Sequence, residues 1–216
     1  MSGGLQVVVR CVKFRCGLSK AYDDKRQLSC AEIIKMQEMM TMSETHPFEI
    51  FSPPNAKYLI LGSFVGKEAV KGAAATDESY DWFYGTKRNQ FWPILEGVYG
   101  VELKNKISKQ ELFIKLGIAI ADIIYKCERK DDNNLDTNLV NIVYNPAVPG
   151  VIESQYLEKI LFTSQYVEKR FKKNYKDIIN RHPSIQLVTL PSPSPRYAQM
   201  SKDQKIRIYK ELLPRM

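Results

Sequence analysis

One acidic residue, Asp122, stands inside an otherwise apolar run from Gly117 to Tyr125. A buried carboxylate needs a partner, and burial raises its pKa. Asp122 is therefore either a hydrogen-bond anchor or a group that moves protons. A second concentration of chemistry lies in YDWFYGTKRNQFW, residues 80 to 92, where aromatic rings crowd around the amide of Asn89 and the cations Lys87 and Arg88. Rings that stack on a base, beside an amide that both donates and accepts, are what a nucleobase pocket requires. Phe91 and Trp92 read as core residues of a helix, whereas Tyr84 and Asn89, at a loop and a helix start, are candidates for the site. Asn89 also suits a helix N-cap.

Two loops add groups of other kinds. In GSFVG, residues 62 to 66, two glycines flank three residues after a strand, so Gly62, Ser63, Phe64 and Gly66 can bring free backbone amides close to a ligand. In PSPSPR, residues 191 to 196, prolines stiffen the chain and remove amide donors. Ser192 and Ser194 offer short hydroxyl donors to phosphate oxygens, and Arg196 at the tip suits a wedge into a duplex. The basic run VEKRFKKNYK holds Lys169, and Thr163-Ser164 just before it places Ser164 at a helix N-terminus able to take one phosphate. His182, in His182-Pro183-Ser184, precedes a strand instead of following one, which puts it at the other end of the sheet.

The elements that position these groups read as alternating strands and helices. Tyr58 to Leu61, Gly117 to Tyr125, Lys159 to Thr163 and Ile185 to Leu190 are short apolar strands; Asn89 to Tyr99, Gln165 to Lys176 and Ser201 to Leu213 are helices. Continuously apolar strands separated by helices imply an α/β fold with a parallel sheet covered on both faces. Ligands then bind beyond the carboxyl ends of the strands. GSFVG, the 125 to 134 segment (read as a loop), Thr163-Ser164 and PSPSPR are expected to meet there.

The chain has 216 residues, 44% apolar, and a formal charge of +8. That length suits one good-sized domain, and the charge favours a polyanionic partner such as nucleic acid. No apolar run is long enough to span a bilayer, so an intracellular, cytoplasmic protein is expected. Cysteines 11, 16, 30 and 127 lack metal-ligand spacing, and His46 and His182 are the only histidines, so reduced thiols and no metal are expected. Residues 1–44 form a leader without a clear period, poorly ordered or helical over Ser29 to Met42, and residues 45–216 form the working domain.

HPF (46 to 48), LILGSFVG (59 to 66), FYGTKRNQFW (83 to 92), GIAIADIIYKCERKDDNNLD (117 to 136) and LPSPSPRYA (190 to 198) together resemble the uracil-DNA glycosylase superfamily. The resemblance is nearest to its hypoxanthine (deoxyinosine) branch, and PSPSPR is also similar to the loop of mismatch-specific thymine/uracil glycosylases. It implies a three-layer α/β/α sandwich with a short central parallel sheet, no cofactor, and a monomer that flips a deaminated base from DNA and hydrolyses its N-glycosidic bond. Gly62, Ser63 and Gly66 then form the first site motif and Tyr84 stacks on the base. Asn89 orients water or the base, Asp122 stands in reserve as general base, and Ser192, Ser194 and Arg196 pinch the backbone and fill the gap. Phe64 stands where many relatives place an Asp or Asn, Val65 replaces a proline, and the second motif has no histidine. A silent binder of flipped bases is the alternative these departures suggest.

Overall fold

The computed structural model describes residues 43–70, 81–131, 133–154 and 156–216. The expected helix over Ser29 to Met42, and the leader up to residue 42, lie outside them. The described strands are β1 (Ser43–Thr45), β2 (Tyr58–Gly62), β3 (Ile118–Asp122), β4 (Ile124–Arg129), β5 (Leu139–Tyr144), β6 (Lys159–Phe162) and β7 (Gln186–Thr189). The described helices are α1 (Lys67–Val70), α2 (Phe91–Tyr99), α3 (Lys106–Leu116), α4 (Ala147–Ser154), α5 (Gln165–Asn174), α6 (Lys176–Arg181) and α7 (Lys202–Leu212).

The central sheet is parallel, in the order β3-β2-β6-β7. Side chains alternate across its strands, so it feeds two cores. Leu59, Leu61, Ala119, Ala121 and Phe162 face Val148 and Ile152 of α4, Val167 and Phe171 of α5 and Ile178 of α6. Ile60, Ile118, Ile120 and Leu161 face Phe91, Ile94 and Leu95 of α2, Leu112 and Phe113 of α3 and Tyr209 of α7. This is a three-layer α/β/α arrangement, and both faces of β2 and β3 are dry as the continuous apolar runs required.

The structure differs from the sequence reading at several elements. Gly117 to Tyr125 is not one strand. After Asp122 the Ile123 and Ile124 amides still donate to the Gly62 and Ser63 carbonyls (2.9 and 3.1 Å), and β4 then leaves the parallel sheet to pair antiparallel with β1 and β5. Buried Asn145 holds the junction: its Nδ2 donates to the Asp122 carbonyl (3.1 Å) and its amide to that of Ile123 (2.8 Å). The 125 to 134 segment, expected as a loop, is therefore a strand as far as Arg129. The helix expected from Asn89 begins at Phe91, and the basic helix expected over 165 to 176 breaks at Tyr175 into α5 and α6.

Strand β5 escaped the reading because Asn141 takes a left-handed φ of 49° and disrupts the alternation. Helix α3 escaped it because one of its inward positions is a lysine, Lys109. Its ends are nonetheless well marked, by a reciprocal capping box between Asn105 and Ser108 and by Gly117 at a φ of 63°.

Candidate active site

The carboxyl ends of β2, β3, β6 and β7 open into a cleft of about 900 Å³, as parallel strands dictate. Its floor is built on Asp122, the last residue of β3, whose side chain is 5% exposed. Oδ2 of Asp122 lies 2.9 Å from Nε2 of His46. The His46 ring is itself buried and enclosed by Phe48, Phe64 and Phe83, with centroids 5.5 to 5.8 Å away. Chain geometry delivers this histidine. Strand β1 runs antiparallel along β4, the His46 amide donates to the Tyr125 carbonyl (2.8 Å), and Phe51 bridges to Ile120 on β3.

Gly62 is paired with Asp122 across β2 and β3, and the close packing above it forbids a side chain. A Cβ there would sit 2.0 Å from Oδ1 of Asp122 and 2.1 Å from the Tyr84 hydroxyl. Tyr84 takes a left-handed φ of 57°, packs its ring on Phe91 at 4.3 Å, and shares a hydrogen bond of 3.0 Å with Oγ1 of Thr163 at the end of β6. Burial, and then the charge of Asp122, hold its phenol well above the ordinary range, so it stays a neutral hydroxyl.

The GSFVG loop is fastened by the segment from Arg129 to Asp136. Ser63 donates through Oγ to Oδ1 of Asp136 (2.7 Å), Arg129 donates through Nη2 to the Val65 carbonyl (2.7 Å), and the Lys67 amide donates to Oδ1 of Asn134 (2.9 Å). Arg129 is anchored in turn by both carboxylate oxygens of Glu44 (2.8 and 3.0 Å). Burial pushes the Asp136 carboxyl above its ordinary range; the Ser63 hydroxyl opposes the shift and the charge of Asp122 adds to it. Phe64 lies edge-on to His46 and beneath the Arg129 guanidinium, so it lids the His46–Asp122 pair.

The opposite wall is PSPSPR, and its carbonyls are tied inward. The Gln90 amide donates to the Pro193 carbonyl (3.0 Å) and the Tyr209 hydroxyl to that of Pro191 (2.8 Å). Lys205, 1% exposed, donates through Nζ to Oε1 of Gln90 (2.9 Å) and to the Ser194 carbonyl (3.5 Å). With its acceptors occupied, the loop turns hydroxyls toward the cleft and leaves Arg196 exposed. The amides of Ser194 and Arg196 donate to the hydroxyl oxygens of Ser192 and Ser194 (both 3.3 Å), which curls the loop into successive tight turns.

Ser63, Phe64, Gly66, Tyr84, Asn89, Asp122, Ser164, Ser192, Ser194 and Arg196 all line this one cleft. Gly62 lies under its floor, and Lys169 is exposed on α5 outside the lining. The N-cap of α2 is Gln90, without a side-chain cap, and not Asn89 as expected; Oδ1 of Asn89 accepts the Phe91 amide (2.9 Å) from one position earlier, and its Nδ2 donor can serve a ligand. Ser164 caps α5 by accepting the Val167 amide (3.3 Å). Phe91 and Trp92 belong to the core, and His182 sits at the far end of the sheet beside α6.

Two residues of the site were not singled out from sequence: His46, which stood in the HPF piece, and Asp136, which closed the 117 to 136 piece. Cysteine 127 is buried, and burial pushes its thiol up to about 11; cysteines 11, 16 and 30 lie outside the described residues. No cluster of metal-ligating side chains and no helix long and apolar enough to cross a membrane occurs among the described residues.

The architecture has a counterpart among solved structures. The solution NMR structure of a "putative Uracil DNA glycosylase from Methanosarcina acetivorans" superposes with a TM-score of 0.58 over 79% of this chain and 99% of that one, at 18% identity. The fold is uracil-DNA-glycosylase-like. No family model matches the sequence, and no curated protein matches it.

Proposed function

We propose that the protein is a monofunctional DNA glycosylase that flips a deaminated base (hypoxanthine, uracil or xanthine) into the cleft and hydrolyses its N-glycosidic bond. The observation that carries this reading is the meeting of a buried carboxylate, Asp122, a neutral phenol, Tyr84, and an amide donor, Asn89, in one cleft. The cleft is rimmed by PSPSPR and by the N-terminus of α5. The likeness of fold to the Methanosarcina acetivorans structure supports it.

The free groups suggest the division of labour. Asp122 presents an acceptor, so it takes the proton of the attacking water. The water oxygen bonds C1′, the C1′–N bond breaks, and its electron pair leaves with the base. Asn89, its Oδ1 engaged by the Phe91 amide, offers the Nδ2 donor and so stabilises negative charge growing on the base. Tyr84 supplies the stacking ring. Ser192, Ser194 and the α5 N-terminus take phosphate oxygens, and Arg196 fills the space left by the flipped nucleotide. Phe64, where relatives carry an acidic or amide residue, serves as cover for the His46–Asp122 pair, which moves the base of the reaction from the first loop to the end of β3.

The test is incubation with labelled oligonucleotides bearing a single hypoxanthine, uracil or xanthine, followed by alkali. Strand cleavage at one lesion, lost in Asp122→Asn and reduced in Asn89→Ala, is the expected result. Salt-sensitive binding without an alkali-labile site at any lesion would leave a silent base-binding protein instead.

A further inference from the structure

His46 does not itself line the cleft but lies directly behind two residues that do, Asp122 and Phe64, and its surroundings are unusually complete. Nε2 faces Oδ2 of Asp122 at 2.9 Å. Nδ1 is 2.8 Å from the carbonyl oxygen of Phe48 and also 3.1 Å from the amide nitrogen of the same residue, which donates to it. A carbonyl accepts only from a protonated Nδ1 and an amide donates only to an unprotonated one. The ring therefore has a partner on Nδ1 in either charge state, with Nε2–H donating to Asp122 in both.

We propose that His46 is the positioning residue of Asp122. It turns the carboxylate so that Oδ1, beside Gly62 and Tyr84, is the oxygen offered to water. This rests on the glycosylase reading of the cleft.

Asp122 is the one charged group facing the ring among the described residues; Phe48, Phe64 and Phe83 cover the rest. Asp122 in turn feels the phenol of Tyr84 and the carboxyl of Asp136, and the Arg129 guanidinium lies beyond Phe64. When water attacks, its proton goes to Oδ1, Oδ2 continues to accept from Nε2–H, and the ring keeps its own protons.

The experiment is single-turnover cleavage across pH by the full chain and by His46→Phe, His46→Gln, Asp122→Asn and His46→Phe/Asp122→Asn. His46→Phe fills the aromatic cage and should lose about a hundredfold in rate, within the range a positioned base contributes, with DNA affinity retained. His46→Gln restores a side-chain donor to Oδ2 and should recover most of that rate. The double variant should be no slower than Asp122→Asn alone. Wild-type rate in His46→Phe, losses that multiply in the double variant, or no recovery in His46→Gln would each overturn the proposal.

If the wild type cleaves none of the lesions, the glycosylase reading fails, and the ring ¹⁵N spectrum then judges the pair alone. A proton on Nε2 whose resonance shifts in Asp122→Asn supports the pairing; a resonance indifferent to that substitution refutes it.

Discussion

The two walls of the cleft are built on opposite principles. At the ends of β2 and β3, side chains grip side chains: His46 holds Asp122, and Asp136 holds Ser63. At the end of β7, the main chain of the loop is what is gripped: the Gln90 backbone amide and the Lys205 and Tyr209 side chains donate to carbonyls of PSPSPR, and the Gln90 side chain accepts from Lys205. The first wall keeps titratable groups dry and adjustable. The second fixes the shape of a loop that lines the cleft with Ser192 and Ser194. Changes to the first wall should therefore alter rate and pH dependence, and changes to the second should alter affinity and its response to salt.

The sharpest break in that contrast is Asp122→Asn, which should lower single-turnover cleavage by about 10²–10⁴-fold, the range for a positioned acid or base, with little change in DNA affinity. An equal loss of affinity would show that the first wall binds as much as it reacts. Gly62→Ala should follow, since its Cβ would meet the Asp122 and Tyr84 oxygens at 2.0 and 2.1 Å. Overpacking of this kind costs about 1–3 kcal/mol, and a denaturant midpoint lowered together with activity is the expected reading.

On the second wall, Lys205→Met leaves the Gln90 oxygen and the Ser194 carbonyl without their buried donor. A loss of about 1–3 kcal/mol in stability and weaker DNA binding are expected, measured by denaturation and by titration of labelled duplex. Arg196→Ala is milder: affinity falls, and the slope of log K against log salt becomes shallower by about 1 if the arginine contacts a phosphate.

The smallest effect has the opposite sign. Because burial raises the Asp136 carboxyl, the folded state binds its proton more tightly than the unfolded chain does. Its ionisation therefore opposes folding, and stability falls as pH rises from the ordinary carboxylate range through the raised folded value. Asp136→Asn, which can still accept from Ser63, should be more stable than the wild type above that window and equal to it below. Thermal melts across pH measure this.

Much of this was legible in the residues. The apolar runs of β2, β3, β6 and β7 announced a buried parallel sheet, and that topology alone brings GSFVG, Asp122, Thr163-Ser164 and PSPSPR to one end of it. The local chemistry of Asn89 was only half visible: the residue types suggested an N-cap, but the N-cap is Gln90 and Asn89 accepts the Phe91 amide from one position earlier. The lone acid in an apolar strand signalled a partner but did not name it.

What tertiary structure decided is the partner of each group. His46 reaches Asp122 across 76 positions only because β1 lies antiparallel on β4, a strand hidden in what looked like a loop. Asp136 reaches Ser63 across 73 positions because the chain returns along GSFVG before entering β5. Lys205 looks like any charged residue of an amphipathic helix until the Gln90 amide oxygen and a loop carbonyl are seen waiting beneath it. Periodicity and propensity act over a few residues, so they determined the strands of the central sheet and the end of it where chemistry gathers, but not β5 or α3. Which buried polar group satisfies which depends on contacts between distant segments, and only the packed fold specifies those.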